Sequence, residues 1–329
     1  MTAAAHSIIS GLGRNVPDKV LSNADLEKMV DTSDEWIKTR TGISERRIAD
    51  DGVTTSQLGI PSAREALKNA GVSPKELDLL LCATSTPENM FPSTACSIGH
   101  GIGAGDCPSF DLLAACTGFI YAVSVADNFI RSGSANNVLI VASEIYSRIV
   151  NWKDRGTCVL FGDGAAAVVV SRSDVSSGII DSIIHSNGAY GDLLTVGGVA
   201  SRRPVAGRAI EDAGYFLKMK GNQTFKVAVK RMTDVASKLL EKNGLTAGDV
   251  DMVIPHQANI RIINAVGKSL GVPEEKVFVN VNKYGNTSAA SIPIAMYEAV
   301  EEGRVKPGDL VLLVAFGGGL TWGATLIRW

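Results

Sequence analysis

The sequence predicts an α/β fold built from two similar halves, on three observations. Short apolar runs of strand length alternate with segments of helical period. Landmarks recur in the same order in the two parts of the chain. The composition, 45% hydrophobic and 20% charged over 329 residues, supplies a large core and rules out intrinsic disorder.

Taken in chain order, apolar periodicity predicts helices over Asn23–Val30, Asp34–Thr41 and Ser56–Ala70; Thr54 and Gln57 have capping-box spacing at the start of the last. Leu77–Ala83, Ser109–Leu113, Val138–Ser143 and Ala165–Ser171 read as buried strands, and Thr117–Arg131 as an apolar helix. In the second part, helices are expected over Gln223–Lys242, Asn259–Leu270 and Ser288–Glu302. Strands are expected over Val250–Ile254, Val277–Val281, Leu310–Ala315 and Ala324–Arg328. Phe161-Gly-Asp-Gly164 precedes one apolar strand and Phe316-Gly-Gly-Gly319 another. The Leu77–Ala83 strand ends 33 residues before Cys116, and the Val250–Ile254 strand ends 32 before Asn286. A diverged duplication accounts for this spacing, with halves at 1–174 and 175–329 joined near Ser171–Gly178, and Ser186–Gly214 as an insertion rich in Gly and Arg. Residues at equivalent helix starts then face one another across a pseudo-twofold axis.

Charge and cysteine content narrow the function. Thirty-two basic and 34 acidic residues give a net charge of −2, so no overall field drives the chain onto nucleic acid or a membrane. Five cysteines, with no CxxC pair and no metal-like grouping with the four histidines, fit a reducing cytoplasm and no metal site. The start of the chain lacks a basic-then-apolar leader, and no apolar run reaches membrane-spanning length.

Three residues stand where chemistry is placed. Cys116, in Leu113-Ala-Ala-Cys-Thr-Gly-Phe119, follows a strand and opens a helix, whose positive end favours thiolate; the competing reading is a small buried hydrophobe, which is kept for Cys82, Cys96, Cys107 and Cys158. His256, in Ile254-Pro-His-Gln-Ala-Asn259, lies between a buried strand and a helix, where a hydrogen-bonded turn histidine would also serve. Asn286 precedes a helix and could be an N-cap. Together the three point to acyl transfer with the acceptor open, since a cysteine hydrolase presents the same set. Phe316–Gly319 could bring a backbone N–H against a reacting carbonyl or could simply turn a strand. Gly11-Leu-Gly13 and Gly99–Gly105 lack the strand, spacing and helix of a dinucleotide loop and read as turns. Trp36, Arg40 and Arg155 could stack on and neutralise a nucleotide-bearing ligand, or form a solvated face; Lys226, Arg261 and Lys268 could form a patch for an acidic protein.

With these residues in view, the sequence resembles β-ketoacyl-acyl carrier protein synthase III, the initiating condensing enzyme of bacterial fatty acid synthesis in the thiolase superfamily. The resemblance runs from about Ser7 to Trp329. It rests on Asp34-Glu-Trp-Ile-Lys-Thr-Arg-Thr-Gly42, Ala115-Cys-Thr-Gly118, Asp154-Arg-Gly-Thr157, Phe161-Gly-Asp-Gly164, Pro255-His-Gln-Ala-Asn259, Gly285-Asn-Thr-Ser-Ala-Ala290 and Phe316-Gly-Gly-Gly319. It implies a thiolase-like five-layer α/β/α/β/α fold of two duplicated halves, usually a homodimer. It implies Cys116 as nucleophile, His256 and Asn286 as aids to decarboxylation, and the N–H groups of Cys116 and Gly318 as oxyanion hole. Trp36, Arg40, Arg155, Gly221 and Phe225 would line a coenzyme A channel, with Trp36 and Arg155 about the adenine. Phe91 would reach the base of the neighbouring subunit's acyl pocket. Gln257 to Arg261, with Lys226 and Lys268, would meet the acyl carrier protein, although Ser269 stands where many members carry a second lysine.

The reaction so implied joins a short acyl-coenzyme A, such as acetyl-coenzyme A, to malonyl-acyl carrier protein through an acyl-Cys116 intermediate. Coenzyme A enters as part of a substrate, and no cofactor is expected. The competing readings are a cysteine acyl-thioester hydrolase, a related condensing enzyme of secondary metabolism, and a non-catalytic carrier-binding subunit, against which the retained Cys116, His256 and Asn286 speak.

Overall fold

Strands rich in Val, Leu, Ile and Ala with no polar alternation can exist only where both faces are covered, and the computed structural model places them so. It describes residues 6–175, 177–197 and 214–329. The first sheet has five strands in the order His6–Asn15, Asp163–Ser173, Asn137–Ile145, Leu79–Ala83, Ser109–Leu112. The second has four, in the order Gly178–Ser186, Thr321–Arg328, Leu310–Gly317, Met252–Pro255. Read in those orders, the pairings match: antiparallel, antiparallel, parallel, with a further parallel strand only in the first sheet. In the second sheet that last partner shrinks to one parallel bridge between Val253 and Val277. The expected strand Val277–Val281 is therefore absent; Val281–Tyr284 turns into a short helix instead.

Five layers follow from what the sheets bury. Helices Thr55–Ala70 and Thr94–Ile102 cover the outer face of the first sheet through Ala63, Leu67 and Ile98. Helices Gly118–Arg131 and Ser291–Glu301 fill the space between the sheets through Phe119, Val123, Ile292 and Ala295. Helices Gly221–Lys242 and Ile260–Leu270 cover the outer face of the second through Met232, Leu239 and Val266. The Thr54–Gln57 capping box forms as expected. The expected helix Asn23–Val30 holds for only Asn23–Leu26, and strands His6–Asn15 and Gly178–Ser186 carry polar and glycine residues that conceal them in the sequence.

The glycines expected as turns do another job. Gly11 and Gly13 lie within a strand, and a Cβ on them would stand 2.2 Å from the carbonyl oxygen of Ala66 and 2.1 Å from that of Ser62. They let helix Thr55–Ala70 settle onto the sheet. Gly99 and Gly101 lie inside helix Thr94–Ile102, Gly101 beneath the Ile60 side chain; only Gly103 and Gly105 take the positive φ of turns. Within the Ser186–Gly214 insertion, Leu194–Val196 pairs with Leu217–Met219, while 198–213 lies outside the described residues.

Candidate functional site

In each half a tight turn opens the central helix, and two further strands of the sheet follow that helix. Ala115–Thr117 precedes Gly118–Arg131, and Ser288–Ala290 precedes Ser291–Glu301. The first residue of each turn, Ala115 (φ 47°) and Ser288 (φ 50°), is forced into the left-handed region, a departure that costs an L-residue on the order of 1–2 kcal/mol. Cys116 is thus equivalent to Ala289, and Asn286 sits three residues earlier, in the approach to its turn. The spacing count had paired Cys116 with Asn286; the strand ends it started from are not equivalent, because the second strand continues to Pro255.

The Cys116 turn is tied on two sides. Thr117 N–H donates to the Ala114 carbonyl at 3.1 Å, and the Thr321 hydroxyl donates to the same carbonyl at 2.9 Å. Cys116 is the second residue of a 3₁₀ turn, so its N–H has no acceptor inside that turn. Gly317, at the end of a strand of the second sheet, backs onto it: a Cβ there would lie 2.7 Å from the Cys116 nitrogen. Gly318 lies beside Ala115, the residue next to it.

Asn286 is held by the Phe161–Gly164 segment. Its N–H donates to Leu160 O at 2.8 Å, and Gly162 N–H donates to Asn286 O at 3.1 Å. Gly162 permits this because a Cβ would meet Tyr284 O at 2.3 Å. The Asn286 side-chain oxygen accepts from Ser288 N–H at 2.8 Å, which leaves its Nδ2 hydrogens facing the cavity it lines. Asp163, in the same motif, accepts from Ala49 N, Ser147 N and Ser147 Oγ and stitches the surrounding loops together.

His256 follows strand Met252–Pro255, its N–H donating to Val314 O at 2.8 Å. Its Nδ1 lies 2.6 Å from Ser291 Oγ, and that oxygen already accepts from Gln257 N–H at 3.2 Å. Where the Ser291 hydroxyl donates to Nδ1, the imidazole proton sits on Nε2. Burial pushes the imidazole down to about 3, so it is neutral across the physiological range.

Cys116, His256 and Asn286 line one cavity of about 280 Å³ with Trp36, Arg40, Gly221, Phe225, Arg261 and Phe316. The thiol is not ionised in it. Burial pushes Cys116 up to about 12, opposed by the Ser288 hydroxyl, so desolvation overrides the expected benefit of a helix start. At the mouth, Arg40 and Arg155 lie 4.8 and 5.0 Å from the centre of the Trp36 ring, so Arg155 covers the indole directly. Its guanidinium also donates to Asp31 O at 2.7 Å.

The remaining expectations separate. Arg261 lies over Phe225 at 5.5 Å with exposed Lys226 beside it, whereas Lys268 borders a different groove, between its helix and Val272–Val279. Gln257 does not belong to a docking surface. It is buried, its amide donates to Pro255 O and Phe278 O, and its oxygen accepts from Asn280 N and Val281 N. Phe91, 84% exposed, takes no part in this chain's cavity. Ser288, Ser291, Tyr146 and Glu144 around the thiol and imidazole carried no sequence signal. Among the described residues no cluster of His, Cys, Asp and Glu could hold a metal, and no helix is long and apolar enough to cross a membrane.

Comparison with known proteins agrees with the fold. Residues 110–188 match the model of 3-oxoacyl-[acyl-carrier-protein (ACP)] synthase III and residues 240–329 that of its C-terminal region. The chain is 53% identical over 321 residues to β-ketoacyl-[acyl-carrier-protein] synthase III of Aquifex aeolicus, covering 98% of this chain and 99% of that one. It is 49% identical over 326 residues to the protein of that name from Roseiflexus sp., covering 99% of each. The crystal structure of the Aquifex aeolicus 3-oxoacyl-[acyl-carrier-protein] synthase III superposes with a TM-score of 0.92, covering 98% of this chain and 100% of that one. The chain belongs to the 3-oxoacyl-[acyl-carrier-protein] synthase III family of condensing enzymes.

Proposed function

We propose that this enzyme joins a short acyl group, delivered as acyl-coenzyme A, to malonyl-acyl carrier protein with loss of carbon dioxide. The product is a β-ketoacyl carrier protein that starts fatty acid synthesis in the cytoplasm. The observation that carries this reading is the meeting of Cys116, His256 and Asn286 in one cavity, with neutral Nε2–H and Nδ2–H donors beside a thiol. Cys116 attacks the acyl thioester, and the charge developing on its oxygen is met by the N–H groups of Cys116 and Gly318. Coenzyme A leaves. Malonyl thioester then enters the same cavity, and His256 and Asn286 donate to its carbonyl oxygen as carbon dioxide departs. The enolate so stabilised attacks the acyl-Cys116 carbonyl. A neutral histidine suits this step, because an imidazolium would protonate the enolate it should only hold. The apolar cavity keeps water from the acyl-enzyme.

The same reading divides the mouth and the surface. Trp36, Arg40 and Arg155 take the coenzyme A nucleotide, whose adenine must part Arg155 from the indole. Gly221 and Phe225 bound the pantetheine path, and Arg261 with Lys226 meets the acidic carrier, Lys268 lying apart on the groove beside Val272–Val279. The chain divides at 174/175, which the two sheets support by drawing their strands from either side of that point. The enzyme works as a homodimer: strand Ser109–Leu112 is an edge strand, and Met90, Phe91, Phe110 and Leu113 are exposed close to it in sequence or through the Asp111 bonds to Thr94 N and Ala95 N.

His256→Ala and Asn286→Ala test the division of labour. Each is expected to slow malonyl decarboxylation by about 100-fold or more while self-acylation by acetyl-coenzyme A changes little. Equal losses in both half-reactions would contradict it.

A further inference from the structure

The two N–H groups assigned to the oxyanion hole come from distant parts of the chain. Cys116 lies in the turn before helix Gly118–Arg131, and Gly318 lies in the turn that joins strands Leu310–Gly317 and Thr321–Arg328. A developing oxyanion gains full hydrogen bonds only where both donors stand about 2.7–3.1 Å from it, so the reaction depends on how the two turns are held together. Close packing sets how near they come: a Cβ on Gly317 would lie 2.7 Å from Cys116 N, 3.0 Å from Thr117 N and 3.1 Å from Thr117 Oγ1. Their lateral register is left to directional bonds.

Two hydroxyl bonds cross between the turns. The Thr321 hydroxyl, at the first residue after the Gly318 turn, lies 2.9 Å from Ala114 O and 3.1 Å from Gly318 O. Ala114 is two residues before Cys116, and Gly318 is the second residue of the hole itself. A carbonyl oxygen only accepts, so the one Thr321 proton serves both contacts, with Ala114 O the nearer. The Thr117 hydroxyl returns a bond to Thr321 O at 3.2 Å, and the two hydroxyl oxygens are 3.1 Å apart. Both threonines are buried, where water does not compete for these bonds, and neither lines the cavity that the thioester enters.

We propose that Thr321 is a positioning residue of the oxyanion hole: its hydroxyl clasps the Cys116 turn to the Gly318 turn and holds their two N–H groups at one spacing. This rests on Cys116 being the acylated nucleophile and on those two N–H groups receiving the thioester oxygen. Thr321 touches no reacting atom. Its effect belongs to the steps in which negative charge gathers on the acyl oxygen, namely attack of Cys116 on the acyl thioester and attack of the enolate on acyl-Cys116. Malonyl decarboxylation draws instead on His256 and Asn286, whose bonds to Ser291, Ser288, Leu160 and Gly162 do not pass through Thr321. Threonine suits a strand for its branching alone, so the hydroxyl is the part to test.

Thr321→Val keeps the shape and removes the donor, and three rates measured on the full chain separate its effects. Self-acylation of Cys116 by acetyl-coenzyme A, read by peptide mass spectrometry, is expected to slow by about tenfold or more, short of the roughly 100-fold that follows loss of a whole oxyanion donor. Alkylation of Cys116 by iodoacetamide passes through no oxyanion, and it is expected to stay within about twofold of wild type, as is malonyl decarboxylation. Thr321→Ser restores the donor and is expected to recover acylation. Thr321→Ala removes the same bond without a second methyl beside the carbonyls and serves if the valine variant does not fold. Acylation at the wild-type rate in the variant lacking the hydroxyl would overturn the proposal, as would acylation and alkylation falling together, or a serine variant as slow as that one. Separately, absence of an acyl adduct on wild-type Cys116 after acetyl-coenzyme A would overturn the functional reading beneath it.

Discussion

In the proposed reaction centre, the bonds around the histidine and the asparagine leave each with one usable group beside the thiol. Asn286 spends its oxygen on Ser288 N–H and keeps its amide hydrogens; His256 spends Nδ1 on Ser291 and keeps Nε2–H. Ser291→Ala should free the imidazole to change tautomer and slow decarboxylation by about tenfold, equivalent to about 1.4 kcal/mol, with self-acylation little altered; paired assays of the two half-reactions would show it. The three groups could be picked from the sequence because each follows an apolar run at an element boundary. Ser288, Ser291 and Glu144 could not. Their partners lie far away in the chain, as with Tyr146 and Ser288 or Glu144 and Thr84, and serine in a helix start looks the same whether or not a histidine sits over it. Helix-start logic also overstated the acidity of Cys116, because sequence gives no measure of how deeply the thiol is desolvated.

At the scale of elements, buried strands and long helices were legible wherever hydrophobic pattern alone determines them, as in Leu79–Ala83 or Gly221–Lys242. Strand His6–Asn15 was not, since Gly11 and Gly13 read as turn residues. Their reason is contact with a helix more than 40 positions away, which only the folded chain supplies. Gly13→Ala would push a methyl against the Ser62 carbonyl, and an overpacking loss of about 1–3 kcal/mol is expected in urea denaturation, with the cavity left intact. Val277–Val281 failed in the opposite sense: its apolar letters suit a strand, but the second sheet stops at a single bridge and those side chains pack under helix Ile260–Leu270 and around Phe161.

Two properties belong to the whole molecule. The first is the stability cost of carrying Glu144 in the interior. Its folded value, about 7, stands above the ordinary carboxylate value of 4.5, so its ionisation opposes folding increasingly as pH rises from 4.5 to about 7 and by a constant amount above that. The melting temperature of Glu144→Gln relative to wild type should therefore rise between pH 5 and pH 8, and a pH-independent difference would argue against a buried titrating carboxylate. The second is association. If Met90, Phe91 and Leu113 are covered by a second copy, Leu113→Glu should shift the sedimentation mass from dimer towards monomer. Duplication of the α/β pattern was legible because spacing outlasts residue identity, yet the exact equivalence of Cys116 with Ala289 depended on the paired left-handed residues Ala115 and Ser288, which no letter announces.

The proposed condensation is tested most directly by following one labelled acyl group. Protein loaded with carbon-13 acetyl-coenzyme A and freed of excess reagent is mixed with malonyl-acyl carrier protein, and both proteins are examined by mass spectrometry. The expected result is label on the Cys116 peptide that disappears as a labelled acetoacetyl group grows on the carrier. Label released as free acetate, or never found on Cys116, would contradict it.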